Sequence, residues 1–81
     1  MIVKVQMFGA FRVLGDQIEV KIKEGGSVSD LRNSMLQYAQ NADLSELLRV
    51  SKFASQSSVL GEDATCSSGE VLAILPPVSG G

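Results

Sequence analysis

The sequence predicts a small α+β domain, in which a β-hairpin and later strands form a sheet against one main helix. Two segments near the N-terminus alternate apolar and polar residues with a period of two. A helical apolar pattern follows a Gly-Gly pair, and an apolar run of strand length comes near the end of the chain. The chain has 81 residues, 44% of them hydrophobic, which is enough for a single domain with one modest core.

The two alternating segments predict an antiparallel hairpin. Its strands are expected over about residues 2–8 and 17–23. In each strand every second residue is apolar: Val3, Val5 and Met7 in the first, and Ile18, Val20 and Ile22 in the second. A turn is predicted at Gly15-Asp16 within the linker. It is too long for a two-residue turn, so we expect a bulge or a wider loop.

A main helix is predicted over about residues 28–40, after a break at Gly25-Gly26. Ser27 is a good N-cap, and Asp30 stands where the second member of a capping box is found. The predicted core residues of this helix follow helical spacing: Val28, Leu31, Met35 and Tyr38. A second, short helix is expected over residues 44–48, capped by Asn41 or Asp43.

The C-terminal half predicts strands at residues 50–54 and 71–75, with Val59-Leu60 before a loop of small and polar residues. Pro76-Pro77 ends the last strand, because proline has no N–H to donate to a sheet. If the last strand lies beside the first, a mixed sheet of four to five strands holds one main helix and a short one. This arrangement is the ubiquitin-like β-grasp, which we predict for residues 1–75, followed by a flexible Gly-Gly tail over 76–81.

Composition excludes several classes of function. Seven Lys and Arg stand against nine Asp and Glu, so the net charge of −2 argues against nucleic-acid binding. No apolar run is long enough to span a membrane, and no basic-plus-apolar leader is apparent, so we expect a cytoplasmic protein. The chain has no histidine, the commonest metal ligand and general base, and no metal site is predicted. Cys66 is the single cysteine and is expected to be a tolerated small residue.

The end of the chain is the strongest candidate site. Two prolines favour a stiff, extended start, and six extended residues reach roughly 20 Å beyond the sheet. Gly80 and Gly81 have no Cβ, so a narrow channel can admit them. The sequence therefore predicts a tail that presents the Gly81 carboxylate to other proteins.

The last eight residues, Ile74-Leu75-Pro76-Pro77-Val78-Ser79-Gly80-Gly81, resemble the ending of the small, sulfur-carrier subunit of molybdopterin synthase. Three weaker similarities lie upstream, namely Val3-Lys4-Val5 through Phe8 with Arg12, Ser27-Val28 through Leu31, and Gly69-Glu70-Val71. The resemblance implies that an adenylyltransferase similar to ubiquitin-activating enzymes uses ATP and Mg to adenylate Gly81. A sulfur donor then leaves a thiocarboxylate there, which gives its sulfur to a cyclic pyranopterin monophosphate to build the molybdopterin dithiolene.

The resemblance also implies a division of labour and a set of contacts. The large subunit is expected to supply the catalytic side chains, and this chain the sulfur-bearing terminus of a sulfurtransferase. This chain is expected to bind no cofactor itself. Two copies of each subunit are expected to form the complex. The tail residues Pro76, Pro77, Val78, Ser79 and Gly80 insert into the large subunit. Phe8, Val59 and Leu75 are expected to form an apolar docking patch, with Arg12 as a charged contact.

Two alternatives stay open at this point. One is a sulfur carrier for thiamine or tRNA thiolation, which shares the Gly-Gly end. The other is a ubiquitin-like modifier joined to lysines of target proteins. The context Pro-Pro-Val-Ser before Gly80 favours the molybdopterin carrier.

Overall fold

The protein folds as one mixed five-stranded sheet that carries its helices on one face. A computed structural model describes residues 1–77. The elements are β1 (Ile2–Gln6), a 3-10 helix (Gly9–Leu14), β2 (Gln17–Lys21), α1 (Val28–Asn41), α2 (Ser45–Val50), β3 (Lys52–Ala54), β4 (Val59–Leu60) and β5 (Val71–Leu75). The strand order across the sheet is β2-β1-β5-β3-β4. The predicted ubiquitin-like β-grasp fold is confirmed.

The predicted N-terminal hairpin is confirmed, with β1 and β2 antiparallel and Val5 opposite Ile18. Both strands are shorter than the alternation suggests, since they end at Gln6 and Lys21. The linker between them folds as the 3-10 helix, which the sequence did not reveal. Phe11 anchors this helix because its side chain is completely buried.

The central strands β1 and β5 run parallel, with Lys4 opposite Val71 and Gln6 opposite Ala73. This pairing confirms that the last strand lies beside the first. In both strands every second side chain faces the helices and is buried, as with Val3, Val5, Leu72 and Ile74. The intervening residues lie on the opposite, open face of the sheet.

Helix α1 begins as predicted, with a complete capping box. The Ser27 N–H donates to Oδ2 of Asp30 over 2.9 Å, and the Asp30 N–H donates to Oγ of Ser27 over 3.3 Å. The core residues of the helix are Val28, Leu31, Met35 and Ala39. Tyr38, predicted for the core, is only half-buried, because the helix turns Ala39 toward the sheet instead.

Two boundaries around α2 differ from the prediction. The helix starts at Ser45 after an N-cap at Leu44 that makes no side-chain hydrogen bond, so a cap by Asn41 or Asp43 is wrong. Asp43 instead takes a positive φ of 60° in the turn. Val50 ends α2, and the third strand begins only at Lys52. The strand predicted over residues 50–54 therefore includes the end of α2.

Arg32 joins the helical layer to the sheet. Its side chain is 14% exposed, and its guanidinium donates to the carbonyls of Leu48 and Ser51 at the end of α2. It lies 5.1 Å from the ring centroid of Phe53 in β3 and forms an ion pair with Glu62. A single charged group thus adds a donor to the Leu48 carbonyl, which also accepts from the Ser51 N–H, and binds the Ser51 carbonyl just beyond the helix.

Replacing Arg32 by methionine is expected to destabilise the fold by about 2–4 kcal/mol, because buried carbonyls lose a charged donor. The measurement is urea unfolding at neutral pH. The control is Arg49→Met, which removes the exposed Arg49–Glu46 pair and is expected to cost under about 0.5 kcal/mol. Equal losses in the two variants would contradict the structural role of Arg32.

The capping box makes stability depend on acid pH. The hydrogen bond from the Ser27 N–H lowers the pKa of Asp30, helped by the Ser27 hydroxyl and by Lys23. A lowered pKa gives stability that is complete above the ordinary carboxyl value of about 4 and is lost as pH falls through the folded-state pKa.

Asp30→Asn is therefore expected to destabilise the protein at pH 7 and to reduce the loss of stability between neutral and acid pH. The check is the melting temperature of both proteins across that range. Asp63→Asn, at an exposed carboxyl, serves as the control and should leave the pH profile near that of the unsubstituted chain. A profile unchanged by Asp30→Asn would refute the assignment.

Candidate functional site

The open face of the sheet carries an apolar strip along its centre. Val71, Ala73 and Leu75 point to this face from β5, because Leu72 and Ile74 take the buried positions. Phe8 joins them beyond the end of β1 and is 42% exposed, while Leu75 is 36% exposed. We call Phe8, Val71, Ala73 and Leu75 the open-face patch.

The register of the two central strands brings Phe8 to Leu75. Gln6 is opposite Ala73, so two residues further along each strand Phe8 is level with Leu75. The backbone of Phe8 remains extended, with φ −130° and ψ 156°. The strand register therefore places Phe8 and Leu75 level with each other on the open face of the sheet.

Val59 lies farther from Leu75 than Phe8 does. It is opposite Ala54, which is in turn opposite Ala73 of β5. Two strand spacings and a two-residue offset put Val59 roughly 12 Å from Leu75. Val59 is 61% exposed and faces the same side of the sheet, so it lies at the margin of the open-face patch, with only the small Ala54 between.

The 3-10 helix forms the other border of the site. Arg12 is exposed and donates to Oδ1 of Asp16 over 3.1 Å. A cleft beside this pair is lined by Gln6, Met7, Phe8, Arg12, Asp16 and Gln17. The structure therefore brings Arg12 next to Phe8, which the sequence interval alone did not establish. Its ion pair is solvent-exposed and weakly held, so the guanidinium is available to another carboxylate.

Lysines flank the open-face patch. Lys52 of β3 is opposite Leu75, and Lys4 of β1 is opposite Val71. Lys4 is also opposite Glu19 of β2, so the basic margin lies on the Lys52 side, where an acidic group beside a partner's apolar patch would be complementary.

Gly9 lies against the start of the tail. A Cβ added at Gly9 would lie 2.8 Å from Cγ of Pro76, closer than such atoms approach in proteins. Gly9 also has a φ of +58°, a conformation that disfavours residues with a Cβ. The pair continues the β1–β5 register by one residue beyond Phe8 and Leu75. Sequence reasoning missed Gly9, since nothing in the chain around it signals a contact with Pro76.

The tail is described only as far as its prolines. β5 ends at Leu75, as the two prolines predict, and Pro76 is half-buried while Pro77 is exposed. The predicted tail-insertion residues Val78, Ser79 and Gly80, and the predicted reactive residue Gly81, lie outside the described residues.

Cys66 is not placed for sulfur chemistry. Its side chain is 4% exposed within the core. Burial, with the charges of Glu70 and Asp30, raises the pKa of its thiol, so the unreactive protonated form dominates near neutral pH. Within residues 1–77, no group of three His, Cys, Asp or Glu side chains is arranged to hold a metal, and no helix is long and apolar enough to cross a membrane.

The fold is that of the ubiquitin-like β-grasp proteins, a class that includes the sulfur carriers. The chain belongs to the ThiS family, whose family model matches residues 5–81. No curated protein sequence matches the chain.

Solved structures share the fold over the full length. SAMP1 from Haloferax volcanii has a TM-score of 0.78 at 18% identity, with 100% of both chains covered. The complex of subunits 1 and 2 of the molybdopterin-converting factor from Helicobacter pylori gives 0.66 at 28% identity, again with 100% of both chains covered. The BexX/CysO complex from Amycolatopsis orientalis gives 0.62 at 26%, covering 98% of this chain and 99% of the other.

Proposed function

We propose that this sulfur carrier is the small subunit of molybdopterin synthase. The observation that carries the proposal is the ending Pro76-Pro77-Val78-Ser79-Gly80-Gly81, directly after a central strand of a β-grasp sheet. The full-length similarity to a chain of the H. pylori molybdopterin-converting factor complex supports it. The similarity to the BexX/CysO complex supports the broader idea that the carrier works against a catalytic partner.

The proposed chemistry takes place at the terminal carboxylate, which is ionised and a poor electrophile near neutral pH. In an adenylyltransferase that uses ATP and Mg, the Gly81 carboxylate attacks the α-phosphate and pyrophosphate leaves. A donor of hydrosulfide-level sulfur then attacks the carbonyl carbon of the acyl-adenylate. The C–S bond forms as the C–O bond to phosphate breaks, and AMP leaves with the electron pair.

Transfer regenerates the carrier. The thiocarboxylate sulfur bonds to a carbon of cyclic pyranopterin monophosphate as a bond from that carbon to oxygen breaks, and the departing oxygen keeps the electron pair. Water then cleaves the bond between that sulfur and the Gly81 carbonyl carbon. The terminus returns to a carboxylate, and two such transfers build the dithiolene. Catalytic side chains come from the large subunit, which agrees with the absence of histidine from this chain.

The open-face patch is the proposed docking surface for the large subunit. Exposed apolar side chains that cluster beside the start of the tail hold a partner where the tail can enter it. Arg12 and Lys52 lie at the border of the patch, where they give orientation more than affinity.

The first test uses the intact mass of the chain. Incubation with the adenylyltransferase, ATP and a sulfur donor is expected to replace one oxygen of the chain by sulfur. Adding the large subunit and the pyranopterin precursor should then reverse that mass change. Sulfur that stays on the carrier would refute the molybdopterin role, and transfer to thiamine or tRNA precursors, or larger protein adducts in cells, would identify one of the alternatives.

A second prediction concerns the free terminus. One alanine appended after Gly81 is expected to leave the melting temperature unchanged and to abolish thiocarboxylate formation, because the reacting carboxylate moves one residue beyond its expected place. The readout is again intact mass. The control is one residue added in the exposed loop at Ser57, which lengthens the chain elsewhere. Continued sulfur uptake by the C-terminally extended chain would refute the terminal mechanism.

A third prediction separates docking from folding. Leu75→Asp is expected to weaken binding to the large subunit at least about tenfold, close to 1.4 kcal/mol, because a charge enters an apolar interface. Val50→Asp is the matched control, since Val50 is 57% exposed at the end of α2 in the helical layer. Calorimetric titration measures both. Equal weakening in the two variants would argue against the open-face patch.

A further inference from the structure

Gly9 and Pro76 meet where the chain leaves the sheet. The close approach follows from the parallel pairing of β1 and β5, whose register extends from Gln6 opposite Ala73 to Gly9 beside Pro76. At 2.8 Å from Cγ of Pro76, a Cβ at Gly9 would force one of the two residues to move. The obstructing atom belongs to a ring that is closed onto the backbone, so it has only the small displacement of ring pucker and not the free rotation of a long side chain.

The two prolines restrict rotation of the backbone directly after that contact. A proline ring fixes φ near −65°, and a residue that precedes a proline is restricted to extended conformations. Pro76 meets both conditions, because it is a proline followed by Pro77. A displaced Pro76 ring therefore displaces Pro77 as well, because little backbone rotation is available between the two residues.

We propose that Gly9 is a positioning residue for the terminal segment. Because Gly9 has no Cβ, the Pro76 ring can pack against the 3-10 helix, and this packing sets the direction in which the chain runs on toward a partner's active site. The inference rests on the proposed sulfur-carrier function for its consequence, since a misdirected terminus transfers sulfur slowly. It is distinct from docking, which uses the open-face patch.

The test combines four variants. Gly9→Ala prevents the Pro76 ring from packing against position 9, and Pro76→Ala removes the ring itself. The double variant tests whether loss of the ring removes the steric clash with the added methyl group. Gly25→Ala is the control for backbone strain, because Gly25 also has a positive φ, 73°, and a Cβ there would meet nothing within 4 Å.

The first measurement reports the direction of the terminal segment and does not depend on sulfur transfer. In a Cys66→Ala background, spin labels at Val78→Cys and at Lys21→Cys on the exposed edge of β2 give a distance distribution by pulsed electron paramagnetic resonance. Gly9→Ala is expected to shift this distribution and Gly25→Ala to leave it unchanged. The double variant should return toward the distribution of Pro76→Ala alone. A distribution that Gly9→Ala does not change would overturn the inference.

The second readout is single-turnover sulfur transfer from the thiocarboxylated chain to the pyranopterin precursor in the large subunit. Gly9→Ala is expected to slow the maximal rate at least about tenfold, as a small misplacement of a reacting group does, with binding of the large subunit changed less than about twofold. Weaker binding at an unchanged maximal rate would assign Gly9 to docking and overturn the positioning role.

The two readouts separate this inference from the proposed function. If the unsubstituted chain transfers no sulfur, the proposed function fails, and the distance distributions still decide whether Gly9 sets the direction. If the unsubstituted chain transfers sulfur and Gly9→Ala does so at the same rate, the inference fails alone. Should Gly9→Ala not fold, Pro76→Ala tests the same contact from the other side, and an unchanged distance distribution there would overturn the inference.

Discussion

The parallel pairing of β1 with β5 is the constraint on which the rest of this structure depends. It joins the two ends of the sequence at the centre of the sheet, with Lys4 opposite Val71 and Gln6 opposite Ala73. Because the two strands run in the same direction, the end of β5 arrives where β1 ends. The tail therefore starts beside Phe8, Gly9 and the 3-10 helix, and the candidate site joins Phe8 to Leu75, more than 60 positions away in sequence.

The same pairing determines which side chains of β1 and β5 are buried in the core and which are exposed on the open face. The alternation of each central strand sends Val3, Val5, Leu72 and Ile74 into the core and leaves the open-face patch on the other side. The helices cover only the core face, where Arg32 ties α1 to the end of α2 and to Phe53. Apolar side chains on the open face thus stay exposed because nothing in residues 1–77 covers them, and this leaves a surface for a partner.

A carrier of this kind needs little chemistry of its own. In the proposed function the reactive group is the chain terminus, and the folded domain supplies a docking surface for the partner. The composition agrees with this division, since the sequence has no histidine and the thiol of Cys66 is buried with a raised pKa.

The sequence by itself determined the features that depend on local pattern. Period-two alternation located the hairpin, the capping box at Ser27 and Asp30 located the start of α1, and Pro76-Pro77 located the end of β5. The Gly-Gly ending identified the candidate reactive terminus. Only the tertiary structure decided the 3-10 helix, the start of β3 at Lys52, the distance of Val59 from Leu75, and the contact of Gly9 with Pro76. These features come from strand register and packing between distant segments, which leave no periodic signal in the residues around them.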